Sequence, residues 1–93
     1  LHQEARRQRQ MCIRDRETTI QFILENHAHV WLDVVDVTGR VVQTLVQEQR
    51  NHGIHRVQWL GQDADGRDVA SGVYFARLRI DQTVLTRKMS LLR

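Results

Sequence analysis

The stretch WLGQDADGRDVASGVYFARLRI, residues 59–80, opens on a tryptophan, crosses a polar loop and enters a segment whose residues alternate in character. Tyr74, Ala76, Leu78 and Ile80 fall on one face of that segment, with Arg77 and Arg79 on the other. Period two with a charged outer face marks a half-buried antiparallel strand. The loop ahead of it carries Asp63, Asp65, Gly66 and Asp68, residue types that build turns. No nucleophile, base and orienting group converge in this stretch, which argues against catalysis.

The same period continues on both sides. Residues 18–24 alternate, with Ile20, Phe22 and Leu24 together, and the polar residues 25–28 turn the chain. Residues 29–37 set Val30, Leu32 and Val34 against Trp31, Asp33 and Val35. Asp36-Val37-Thr38-Gly39-Arg40 has the chemistry of a tight hairpin, since glycine takes positive φ and aspartate accepts from turn amides. Residues 40–47 return with Val42, Leu45 and Val46, and the slip of phase between Val42 and Leu45 predicts a bulge or bend. Polar residues 47–52 read as a loop ended by Gly53. Residues 53–59 then place His55, Val57 and Trp59 on one face. Asp81 and Gln82 turn the chain into residues 83–92, where Leu85, Met89 and Leu91 share a face with Arg87. Six or seven short strands with turns every eight to twelve residues predict an all-β sandwich. Its expected core contains Ile20, Phe22, Val30, Leu32, Val34, Val57, Trp59, Tyr74, Leu78, Met89 and Leu91.

At 93 residues the chain has material for one small core. No apolar run approaches the length of a membrane helix, and no signal peptide opens the sequence. The pI near 10.0 suggests nucleic acid until the charge is located. Residues 1–16 hold five arginines against two acids, while residues 17–93 hold nine basic and nine acidic residues. A nucleic-acid module carries its basic excess on the folded body, interleaved with aromatics, so no nucleic-acid partner is expected. The lone Cys12 forms no internal disulfide and leaves the redox compartment open. Residues 1–16 sustain no apolar face and are expected to be a disordered or partly helical arm outside the domain. The string at residues 11–16 is similar to adapter read-through in assembled environmental sequence. A native start near Glu17 is therefore expected, and the arm is kept apart from the functional argument.

Five strings carry a family resemblance: ETTIQFIL, HVWLDVVDVTGRVVQTLV, GIHRVQW, DADGRDVASGVYFARL and the closing TRKMSLLR. Together they resemble the Ig-like domain of the flagellar hook-capping protein, which recurs as the C-terminal type A sorting domain of type IX-secreted proteins. The resemblance spans residues 17–93. Its most specific residues are Asp36, Gly39 and Arg40, the Gly53, His55 and Trp59 alternation, and Ser71, Gly72 and Tyr74. Leu60 stands where the family usually has Asp, and no Asn-Pro-rich lead-in precedes the first strand. The resemblance implies an immunoglobulin-like β-sandwich of about six or seven antiparallel strands, attached behind a larger exported protein. It implies partnership with secretion machinery of the outer membrane and with upstream domains of the host protein, at a secreted or cell-surface location. It also implies that the terminal strand is read by that machinery through Arg87, Lys88, Met89, Leu91, Leu92 and Arg93.

Other constellations have plainer readings. Asp63, Asp65 and Asp68 present oxygens at alternate positions as a calcium loop does, yet the distal glutamate and flanking helices are missing. Turn capping is the preferred reading, and no cofactor is expected. His27, His29, His52 and His55 lack the tight spacing of a structural zinc site, and His55 is expected to pack beside Val57 and Trp59. Ser71 has neither a G-x-S-x-G context nor a strand-to-helix elbow, so it is expected to be a turn serine. Trp31, Phe75, Arg77 and Arg79 face outward, where docking of a neighbouring domain is preferred over sugar binding. The expected function is a non-catalytic module for secretion and attachment. The alternative is an architectural or glycan- or protein-binding module akin to the hook-capping domain.

Overall fold

The computed structural model describes residues 11–14, as backbone, and residues 18–92. Among them the chain forms seven strands: β1 (Met11–Arg14), β2 (Thr19–Leu24), β3 (Ala28–Asp36), β4 (Val41–Arg50), β5 (Gly53–Gln58), β6 (Gly72–Ile80) and β7 (Thr83–Leu91). They build a three-stranded sheet in the order β1-β2-β5 and a four-stranded sheet in the order β4-β3-β6-β7. Every neighbouring pair is antiparallel. The period-two pattern places the inner residues: Ile20, Phe22, Leu32 and Leu78 are fully enclosed, and Trp59, Met89 and Leu91 join them in one core between the sheets. Each large apolar side chain so enclosed stabilises the fold by about 1.5–3 kcal/mol relative to exposure. Val57 lies at the margin of this core rather than inside it.

One end of the sandwich carries the 36–40 hairpin, the 59–71 crossover and the end of β7, since Tyr74 pairs with Asp36 and Gly72 with Leu91. The opposite end carries the turns around residues 25–27, 51–52 and 81–82. At the first end Trp59 lies just past β5 and anchors the crossover. Its Nε1 donates to the Gln62 carbonyl at 2.8 Å, and its ring meets Tyr74 edge-on at 5.1 Å. The Tyr74 hydroxyl donates to the Ala70 carbonyl at 2.6 Å, so both ends of the loop are tied to core aromatics. Thr18 holds φ +45°, an unusual value for a β-branched residue. A reciprocal contact holds it there: the Trp59 amide donates to the Thr18 carbonyl, and the Thr18 hydroxyl donates to the Trp59 carbonyl.

Two expectations change. Residues 47–50 are strand, because Gln47, Glu48, Gln49 and Arg50 pair with Trp31, Val30, His29 and Ala28; a polar edge strand has the composition of a loop. Within the expected arm, Met11–Arg14 is a strand opposite residues 19–22 of β2, so this part of the N-terminal segment belongs to the sandwich. The remaining expectations for residues 1–10 and 15–16 lie outside the described residues. Arg87 lies opposite the enclosed Ala76, on the side of β7 that carries Leu85, Met89 and Leu91, and is exposed there because β7 is the edge of the sheet. The expected irregularity in β4 is present as two register shifts, which leave Leu45 and Val42 without a direct partner on β3.

Candidate functional site

Two turns at the Trp59 end are built alike. Asp36-Val37-Thr38-Gly39-Arg40 and Asp63-Ala64-Asp65-Gly66-Arg67 share the pattern D-x-x-G-R. In each, the aspartate carbonyl accepts from the glycine amide, at 2.9 and 3.0 Å, and the aspartate amide donates to the arginine carbonyl, at 3.0 and 2.9 Å. In each, the carboxylate Oδ1 accepts from the amides two and four residues on. The glycines take φ +88° and +82°, which a side chain would strain. The Thr38 hydroxyl first, then the Arg40 amide, hold the Asp36 carboxyl below the usual carboxylate value. The repeated pentapeptide is a signal in the sequence that a strand-by-strand reading passes over.

This geometry also accounts for the candidate calcium ligands. Asp63 Oδ1 is committed to the Asp65 and Arg67 amides, and Asp68 sits in a bridge with Gln62. Among the described residues no three His, Cys, Asp or Glu side chains gather as a metal would need. Between the two turns lies a cleft of about 470 Å³, rimmed by Asp36, Arg40 and Asp63 and floored by Val42, Val69 and Tyr74. Ser71 lies at this end, whereas His27, His29 and His52 lie toward the other, so these three histidines are remote from it. His55 stacks on Phe22 at 5.2 Å, with Nε2 against the Asn51 carbonyl at 2.7 Å and Nδ1 near Arg50 at 3.4 Å; it is a packed histidine.

The terminal strand divides its residues between core and solvent. Met89 and Leu91 are in the core, Arg87 and Lys88 are exposed, and Leu92 is 88% exposed at the strand's end. β7 pairs with β6 along its whole length, from Ile80 opposite Thr83 to Gly72 opposite Leu91. Arg93 lies outside the described residues. Of the residues that carry the resemblance, Gly53 (φ +125°) and Gly72 (φ +155°) open β5 and β6; Leu60, which departs from the family pattern, is exposed.

The outer face of the four-stranded sheet holds a feature that strand phase alone does not disclose. Asp33 points outward yet is only 2% exposed. Its Oδ2 accepts from Arg77 at 3.0 Å and lies 3.5 Å from Arg79, while Oδ1 accepts from the Thr44 hydroxyl at 3.0 Å. The Arg79 guanidinium in turn lies 4.8 Å from the centre of the Trp31 ring. Trp31, Phe75, Arg77 and Arg79 are therefore half-buried by one another, on the side where they were expected. Asp33 was legible as an acid in an apolar strand, but its partners depend on a register of β3 against β6 that no local pattern contains.

Two antiparallel sheets closed over one core, with hairpin and crossover loops at the ends, define an immunoglobulin-like β-sandwich. The chain belongs to the FlgD Ig-like domain family, whose model matches residues 10–82 and so takes in β1 to β6. The match begins earlier than the resemblance to residues 17–93 and stops ahead of β7. Among solved structures the chain is similar to PorZ, an essential bacterial surface component of the type IX secretion system of Porphyromonas gingivalis. That likeness has 25% identity and a TM-score of 0.53 over 80% of this chain and 9% of PorZ. It is also similar to FlgD from P. aeruginosa, with 26% identity and a TM-score of 0.56 over 85% of this chain and 65% of that one. The chain thus spans less than two thirds of either structure. No curated protein matches the sequence. No helix among the described residues is long and apolar enough to cross a membrane.

Proposed function

We propose that this domain is a non-catalytic C-terminal module that directs a larger exported protein through type IX secretion to the cell surface. The observation that carries the reading is the state of the last strand. β7 is docked along its full length as a sheet edge, with Arg87, Lys88 and Leu92 presented to a receptor while Met89 and Leu91 hold it in place. The likeness to PorZ supports the choice of secretion system. The partners are then the outer-membrane secretion machinery and the upstream domains of the host protein, and the location is secreted or cell-surface. The separation of Ser71 from His27, His29 and His52, and the commitment of Asp36 and Asp63 to turn amides, favour a role without catalysis.

The test is export of a reporter carrying residues 1–93 at its C-terminus in a bacterium with type IX secretion. Removal of residues 92–93, or the pair Arg87→Ala and Lys88→Ala, is expected to trap the reporter in the periplasm with the melting temperature of the domain unchanged. Undiminished surface display by the truncated, folded reporter refutes the reading. A second reading, an architectural or binding module like the hook-capping domain, is favoured by the likeness to FlgD and by the apolar–cationic outer sheet face. Retention of export by every terminal variant, with loss of assembly on altering the sheet face, selects it.

A further inference from the structure

We propose that the outer face of the four-stranded sheet is a docking surface for an acidic protein segment, with Arg77 and Arg79 as the paired carboxylate receptor. The register sets the face out in rows across β4, β3, β6 and β7: Val41, Val35, Phe75 and Lys88; then Thr44, Asp33, Arg77 and Thr86; then Gln47, Trp31, Arg79 and Val84. Three cations stand in these rows against one acid, Asp33. The carboxylate of Asp33 is enclosed and engages one terminal nitrogen of each arginine, so it draws two like charges together and leaves the surplus facing outward. Arg77 Nε and Arg79 Nε lie beneath the surface, while 32% and 41% of the two side chains stay open to a ligand. Guanidinium groups prefer planar, two-point recognition of carboxylates, and here both are ordered in advance, which lowers the entropic cost of binding.

The apolar part of the face points to the same class of occupant. Val41, Val73 and Val84 are 47%, 36% and 54% exposed on it, around the half-buried Phe75 and Trp31. Exposed aliphatics around an aromatic and arginines have the composition of a protein interface. A glycan is disfavoured because the Trp31 ring is already covered by Arg79 at 4.8 Å and edged by His29 at 5.4 Å, leaving no open platform for a sugar ring. Charge complementarity selects an acidic partner over a basic one.

The proposal is tested on the 93-residue chain by NMR titration with a capped peptide of alternating Glu and Leu, its Lys and Leu counterpart, and oligogalacturonate. The acidic peptide is expected to give saturable shifts at the Trp31 indole and the Arg77 and Arg79 Nε–H signals, weakening as salt is raised. Arg79→Gln, which keeps the Asp33–Arg77 pair and hence the fold, is expected to weaken binding about tenfold, the loss of one charge-assisted contact. Absence of saturable shifts, equal shifts with the basic peptide, binding of oligogalacturonate alone, or unchanged affinity in folded Arg79→Gln overturns the proposal. Its outcome is independent of export, so it stands or fails apart from the sorting role.

Discussion

Asp33 is the residue on which the outer sheet face turns. It is a carboxylate removed from water and compensated by Arg77, Arg79 and Thr44. Deleting one member of such a group leaves charges without a partner. Asp33→Ala is therefore expected to cost about 3 kcal/mol in chemical denaturation, the lower part of the range for buried pairs because both guanidiniums are partly solvated. Asp36 works differently, through turn amides and the Thr38 hydroxyl. Its folded carboxyl ionises below the unfolded value of 3.8, so its contribution is fully present above that value and is lost as pH falls through the lowered one. Melting temperatures of Asp36→Asn and the parent should accordingly differ at neutral pH and converge in acid below the ordinary carboxylate range. A gap that stayed constant with pH would assign the effect of the substitution to geometry instead of charge.

At the scale of elements, β7 separates packing from presentation. Met89→Ala empties a core position and is expected to cost about 2–4 kcal/mol, whereas Lys88→Ala should stay within about 0.5 kcal/mol because nothing buried depends on it. Denaturation midpoints of the two variants check this, and they tell an export defect of recognition from one of unfolding. The strands themselves were readable wherever one face is apolar: β2, β6 and the inner face of β3 alternate without interruption, and the slip between Val42 and Leu45 reported its own bulges. The end of β4 was not readable, since Glu48, Gln49 and Arg50 bury no apolar side of their own and owe their strand conformation to pairing with β3. β1 is hidden for a related reason, as four residues carry too short an alternation to distinguish from loop. The D-x-x-G-R repeat was visible, but its pairing across a cleft is a product of the crossover and belongs to tertiary structure.

The molecule as a whole rests on few large side chains. A domain of this size has roughly 5–10 kcal/mol of net stability. Trp59 is enclosed, contacts Tyr74 and fastens the crossover through Gln62, and truncation of such a residue costs about 3–5 kcal/mol. Trp59→Ala is thus expected to remove from about a third to nearly all of that stability and to lower the midpoint steeply, while Trp59→Phe should lower it less, for want of the indole donor alone. Circular dichroism melts of both variants measure this. Retention of the parental midpoint by Trp59→Ala would contradict the placement of that residue in the core.

The two skipped positions on β4 bear on how copies of this chain behave when crowded. Valine 42 and leucine 45 interrupt the even spacing of backbone donors and acceptors along that outer margin. A second molecule offering a straight strand finds its hydrogen-bonding groups out of step after a few residues, and the pairing does not propagate. That margin discourages fibre growth by its irregularity, in a chain with no proline to guard it.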